Sequence, residues 1–199
     1  MIQFDDSVPG WVRVRFDRPT EKNKLKIALL REGINLFEHI HSCSDRYRVI
    51  TIESVSDSIF AAGADMNELL DLDSQSALEY SHLGQAFMNL VETCPVEVIG
   101  LVCGPCVGGG FDLALSCHRL FGTLCARFAH PGVYLGIVTG FGGTIRLAER
   151  VGDGPARQLL LTGQSISGQE AYRMGLVEQL FSSGDAMREA LVKEFQFMT

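Results

Sequence analysis

Apolar residues along the chain follow two periods, and stretches of the two alternate. Trp11–Phe16 reads Trp-Val-Arg-Val-Arg-Phe, the alternation of a strand with one face in solvent. Asp17-Arg18-Pro19 ends it, since proline has no N–H for a sheet ladder. Residues 25–40 carry apolar side chains at 25, 29, 30, 34, 36, 37 and 40, a helical stripe. Residues 47–52 are β-branched and apolar, a buried strand. Residues 75–91 form a second helical stripe through Ala77, Leu78, Leu83, Ala86, Phe87, Leu90 and Val91. A strand is predicted over 98–102, a helix over 111–117 and a short strand over 119–124. Residues 128–135 read as extended chain broken at Pro131. Helices are expected over 144–150, 156–161, 169–174 and 185–197, with a strand over 177–181 before the last. This alternation predicts an α/β architecture with largely parallel pairing. No linker, low-complexity tract or repeat interrupts it, so one domain over residues 1–199 is expected.

Three glycine corners each open a helix pattern. Phe60-Ala-Ala-Gly-Ala-Asp-Met66 precedes the short pattern Asn67-Glu68-Leu69-Leu70. Gly104-Pro-Cys-Val-Gly-Gly-Gly110 leads directly into Phe111, and Gly140-Phe-Gly-Gly143 into Thr144. Glycine in a helix interior costs about 1 kcal/mol relative to alanine, so the triplet at 108–110 belongs to the turn. A helix start presents unpaired N–H groups and a positive dipole end. Such groups can hold an anion, or an oxygen that becomes one during a reaction. Two corners aiming one N–H each at a single oxygen would form an oxyanion hole. Strand-to-helix glycine turns also arise for packing alone, and each corner by itself fits that plainer reading.

Composition narrows the function classes. The 199 residues suffice for a real core, and 46% hydrophobic with 21% charged residues is a globular balance. The net charge of −7 argues against nucleic acid or an anionic membrane surface as partner. No apolar run is long enough for a transmembrane helix, and Asp5 and Asp6 stand where a signal peptide would be basic. A cytoplasmic protein is expected. Cys103 and Cys106 form a C-x-x-C, but no second pair lies at zinc-finger spacing. Free, mostly buried thiols in a reducing compartment are the expectation, with no metal.

Four segments then carry a family resemblance. They are Phe60-Ala-Ala-Gly-Ala-Asp65, Gly104-Pro-Cys-Val-Gly-Gly-Gly110, Leu135-Gly-Ile-Val-Thr-Gly-Phe-Gly-Gly-Thr144 with Arg146-Leu147, and Leu161-Thr-Gly163 through Glu170-Ala171 to Gly175-Leu-Val177. In this order they resemble the crotonase superfamily, the enoyl-CoA hydratase/isomerase group. The resemblance implies a crotonase-like spiral of repeated ββα units and an acyl-CoA thioester as ligand. Coenzyme A would arrive as part of the substrate, with no separate cofactor. The oxyanion hole falls on the backbone N–H groups of Ala64 and Gly109. Coenzyme A would lie along Lys24, Leu25 and Lys26 and the turn of Ala62, Asp65 and Met66, with Lys24, Lys26 or Arg18 meeting its phosphates. A surface lysine is equally a solvated charge. Gly108, Pro131, Gly132 and Leu135 would line the substrate site. A homo-oligomer, trimer or other, is implied, and the C-terminal helical part is expected to be short or absent.

The chain departs from the hydratase pattern where chemistry is done. Hydratases of this group place two glutamates around one water, dividing acid and base work. Here the first position is Asp112, as in the dienoyl-CoA isomerases of the superfamily. The second is Gly132, in Phe128-Ala-His-Pro-Gly132. His118 stands at a common aspartate, Thr139 at a common proline and Phe141 at a common alanine. Efficient hydration is not expected. An isomerase-like enzyme using Asp112 is the first reading; a degenerate acyl-CoA-binding or protein-interaction paralogue is the alternative. Thioester hydrolysis or lyase chemistry would use the same hole, but no nucleophile is well placed for it. His130 could serve as a base near neutral pH, or be an ordinary occupant of its slot. Asp65 and Glu68 suit helix caps, and Tyr134 and Thr139 are possible polar contacts.

Overall fold

In a computed structural model, which describes residues 1–196, these elements form two sheets with helices on both faces of the larger. The strands are β1 Ile2–Val8, β2 Trp11–Phe16, β3 Val49–Ser54, β4 Glu97–Val102, β5 Pro105–Val107, β6 Arg119–Thr123, β7 Arg127–Ala129, β8 Ile166–Ser167 and β9 Gln179–Phe181. The helices are α1 Ile27–Ser42, α2 Met66–Leu70, α3 Ser74–Glu92, α4 Gly109–Ser116, α5 Gly143–Val151, α6 Asp153–Thr162, α7 Gly168–Arg173 and α8 Gly184–Phe195. The larger sheet runs β1-β2-β3-β4-β6-β9, and all its pairs are parallel except β1 with β2. The smaller runs β5-β7-β8, parallel then antiparallel.

Burial explains the strand patterns. Every residue of β3 is buried, as a central parallel strand covered on both faces requires. On one face Val12, Val14, Ile50, Ile52 and Val98 pack with Leu30, Phe37, Phe87 and Val91 from α1 and α3. On the other, Trp11, Val49, Ile99, Leu101 and Phe121 pack with Met187 and Leu191 of α8. Each fully buried large apolar side chain contributes about 1.5–3 kcal/mol.

Several boundaries differ from expectation: the strand expected over 47–52 is found at 49–54 and that over 177–181 at 179–181, β5 lies in a stretch read as a turn, and β8 in one given no element. The edge strand β1 has too mixed a pattern to read as a strand, and its pairing with β2 makes it one. Residues 128–135 are not one extended run. β7 ends at Ala129 and Pro131–Leu135 form a 3-10 turn, because Pro131 pre-sets φ for the first turn and has no N–H to extend the ladder. The first helix starts at Ile27 rather than 25: Lys26 is extended, with ψ of 158°, and serves as its N-cap, while the Leu25 N–H donates to the Gly63 carbonyl at 2.7 Å. Phe197, expected to end the last helix, lies outside the described residues.

Candidate active site

Short parallel pairing brings two glycine corners together. Ala61 bridges Cys106 in parallel; the Phe60 N–H donates to the Pro105 carbonyl and the Val107 N–H to the Ala61 carbonyl, both at 2.9 Å. β5 also pairs in parallel with β7, with Val107 opposite Ala129. Three segments running one way must end at one end. So Ala62-Gly63-Ala64, Gly108-Gly109 and His130-Pro131 emerge side by side.

The approach of these corners demands glycine. A Cβ on Gly63 would lie 2.7 Å from the Gly109 nitrogen and 2.8 Å from the Val107 oxygen, and one on Gly110 would collide with the Ala61 oxygen. Gly63 and Gly108 also have φ of 80° and 56°, in the left-handed region. Gly109 is the first residue of α4, where a helix leaves its N–H unpaired. Among the described residues the N–H groups of Ala64 and Gly109 have no acceptor in the chain. Leu25 is buried beside them, and the Tyr80 hydroxyl donates to its carbonyl at 3.1 Å. Burial first, then the nearby Glu68 and Asp65, push the Tyr80 phenol up, so it stays a donor. The Phe141 ring lies 3.0 Å from where a Gly109 Cβ would be.

Asp112 sits in the first turn of α4, fully buried. The Thr139 hydroxyl donates to its Oδ2. His130 Nε2 is 3.1 Å from its Oδ1, but the ring is not aligned on the carboxylate, and both atoms are buried without a hydrogen-bond partner. The His130 ring stacks on Phe111, centroids 4.9 Å apart. Gly143, the first residue of α5, closes the cluster: a Cβ there would collide with Asp112 Oδ1. Sequence reading had Asp112, His130 and Thr139 singly. It missed their union and the part of Gly143, and the one signal was a hydroxyl at the family's proline position.

The remaining candidates divide. Gly132 lies in the 3-10 turn, where a Cβ would be 2.7 Å from the Ile137 oxygen, and its own carbonyl accepts the Ile137 N–H at 3.0 Å. Pro131 opens that turn beside His130; Leu135 ends it with its side chain largely in solvent. Tyr134 is turned away, its hydroxyl donating to the Thr162 carbonyl at 2.6 Å. Lys24 pairs with Asp65 at 3.2 Å; Lys26 pairs with Glu21 at 3.1 Å and Asp65 at 3.7 Å; Arg18 pairs with Glu21 at 2.6 Å. Asp65 caps α2 through the Asn67 N–H, which with Lys24 and Lys26 holds its carboxyl below the ordinary 3.8. Met66 is exposed at the start of α2, and Glu68 accepts the Ile27 N–H of α1 at 2.9 Å. His118 is structural: Nδ1 accepts the Val98 N–H and Nε2 meets the Glu92 carbonyl, each at 2.9 Å. All six thiols are free. Among the described residues no three His, Cys, Asp or Glu side chains gather as metal ligands, and no helix is long and apolar enough to cross a membrane.

The arrangement thus offers two unpaired amides at one corner pair and one enclosed carboxylate behind them. Known proteins share its frame. The family model for enoyl-CoA hydratase/isomerase matches residues 8–198. The short-chain-enoyl-CoA hydratase of Clostridium acetobutylicum is 35% identical over 177 residues, 89% of this chain and 67% of that protein. The crotonyl-CoA hydratase of Syntrophomonas wolfei is 39% identical over 141 residues, 71% of this chain and 54% of that protein. The enoyl-CoA hydratase structure from Bacillus anthracis aligns with a TM-score of 0.90 at 31% identity, covering 96% of this chain and 73% of that one. Pseudomonas aeruginosa DspI aligns at 0.91 with 26% identity, over 98% and 79%. The chain therefore spans between 54% and 67% of these two curated relatives. With its parallel sheet, paired glycine corners and matched family model, the chain has the crotonase fold and belongs to the enoyl-CoA hydratase/isomerase family.

Proposed function

We propose that this chain acts on an acyl-CoA thioester and moves a proton between its carbons, as an isomerase does, rather than adding water to a double bond. The observation that carries this is one buried carboxylate, Asp112, beside the corner amides, with the second carboxylate position occupied by Gly132 and walled by the Ile137 carbonyl. The thioester oxygen would accept the N–H groups of Ala64 and Gly109. Donors fixed by the backbone need no reorganisation as charge grows, and each is worth about 3–4 kcal/mol in the transition state. In a 3-enoyl thioester Asp112 takes the proton from C2. The electron pair of that bond becomes the enolate, and the proton returns at C4 as the double bond moves from C3–C4 to C2–C3. No water is consumed. Lys24 and Lys26 would exchange Asp65 and Glu21 for the phosphates of coenzyme A.

The two curated relatives and the Bacillus anthracis structure are named hydratases, so the choice of reaction is the point to test. Hydration needs a group to activate water and one to protonate carbon, and loss of an acid–base group forfeits about 10²- to 10⁴-fold. Purified protein would be assayed with 3-enoyl-, dienoyl- and crotonyl-CoA. Double-bond migration is expected, with kcat falling about 10²- to 10⁴-fold in Asp112→Ala. Fast hydration of crotonyl-CoA sinks the reading. No turnover, with calorimetric binding of acetoacetyl-CoA, establishes the non-catalytic alternative. Self-association belongs to the same proposal: Tyr134, Val138 and Leu161 expose apolar surface. Sedimentation as a monomer at micromolar concentration would remove it.

A further inference from the structure

The two oxygens of the Asp112 carboxylate have different surroundings. Oδ2 is committed to the Thr139 hydroxyl. Oδ1 has no hydrogen-bond partner, and neither has His130 Nε2, 3.1 Å away. Asp112 is 0% and His130 5% exposed, so water does not easily serve either atom. Burying polar atoms without partners costs free energy, and a lone buried carboxylate costs more. Two leftover atoms of opposite hydrogen-bonding capacity, within reach of each other, satisfy one another once a proton lies between them. Hydrogen bonds at such sites are often poorly aligned without ligand and tighten when it binds.

We propose that Thr139 and His130 are positioning residues for Asp112: Thr139 ties down Oδ2, and His130 donates its Nε2–H to Oδ1, so that the single carboxylate is held from both oxygens. The inference rests on the proton-transfer reading above. Asp112 enters the reaction as carboxylate and receives the substrate proton on Oδ1, the oxygen Thr139 does not occupy. His130 donates its Nε2–H to Oδ1 and keeps that proton throughout, so the proton taken from C2 is the one returned at C4. Threonine at position 139 matters because proline there has no hydrogen to donate.

The other titratable groups packed around α4 are accounted for. Burial pushes the Cys106 thiol of β5 well up and that of Cys117 to about 12, so both stay neutral. Arg146 is turned to Glu92, Asn89 and the Phe141 carbonyl. Arg150 is turned to the Leu115 and Cys117 carbonyls. His130 is thus the titratable group that meets the carboxylate directly.

Two measurements test this. In the isomerase assay Thr139→Val is expected to lower kcat about 10- to 100-fold with KM within about twofold, and Thr139→Ser to restore most of it. Valine keeps the shape of threonine, so a packing role predicts no loss; equal kcat in the wild type and Thr139→Val overturns the proposal. The second needs no turnover. Histidine-labelled protein is examined by 15N NMR at one neutral pH, and the His130 Nε2 resonance is expected to be that of a hydrogen-bonded N–H in the wild type and to shift in Asp112→Asn. A resonance that does not move overturns the proposal. A resonance that moves in a protein that isomerises nothing supports the pair and removes only the reaction assigned to it.

Discussion

At position 132 a side chain has no room, since its Cβ would meet the Ile137 oxygen at 2.7 Å. On the proposed reading, a glutamate placed there is expected to disturb the turn rather than to supply an acid–base group. Gly132→Glu is expected to lose about 1–3 kcal/mol of stability as the turn shifts, and to gain no crotonyl-CoA hydration. Thermal unfolding and the hydration assay check the two halves, and a hydration rate above wild type would show the turn to be compliant. Asp112 was legible in the sequence because it follows a glycine triplet by two positions. Its neighbours were less so. Thr139 lies 27 residues away and His130 18, and a hydroxyl meets a carboxylate across that separation only once β7 and the turn beyond it are in place.

Two acidic side chains at the start of α2 cap both helices, α2 itself and α1. Asp65 accepts the Asn67 N–H at 3.1 Å at the start of α2, and Glu68 of α2 accepts the Ile27 N–H at the start of α1. This ties the Lys24–Lys26 edge to the Ala64 corner, which is what a coenzyme A site across both would need. The lowered Asp65 pKa fixes the sign of a pH effect. A carboxyl whose folded pKa lies below 3.8 adds stability that is full above that value and is lost as pH falls through the lower folded value. Asp65→Asn should therefore be less stable than wild type at neutral pH, with the gap closing in acid below 3.8. Urea unfolding at a series of pH values measures the gap, and a gap that widens in acid contradicts the assignment. The caps were readable as residue types, but not which helix Glu68 would serve, because that partner lies 41 residues away.

Across the whole molecule, the larger sheet depends on cover from both sides, and α8 supplies part of one. Met187 and Leu191 pack on it, and Arg188 anchors the helix to Glu53 at 2.8 Å and Asp57 at 3.0 Å. Glu53, the last residue but one of β3, has only 3% of its side chain exposed, so removing its partner leaves a buried charge. Arg188→Ala is expected to cost about 1–3 kcal/mol. For a chain of this size that lowers Tm by about 2–4 °C per kcal/mol. Calorimetry checks it, and an unchanged Tm would mean that α8 is held by its apolar face alone.

Periodicity determined most of the elements and the α/β class, and the ordered motifs carried the family resemblance that pointed to position 112, because each is written in neighbouring residues. Strand order, the edge strand β1, the turn over Pro131–Leu135 and the company of Asp112 were decided only by the folded chain. Those depend on which distant segments share an end of a sheet, and hydrophobic pattern carries no record of neighbours across space. The meeting of the Gly63 and Gly109 corners stands between the two. Each corner is local sequence, and the parallel pairing of Ala61 with Cys106 brings them together.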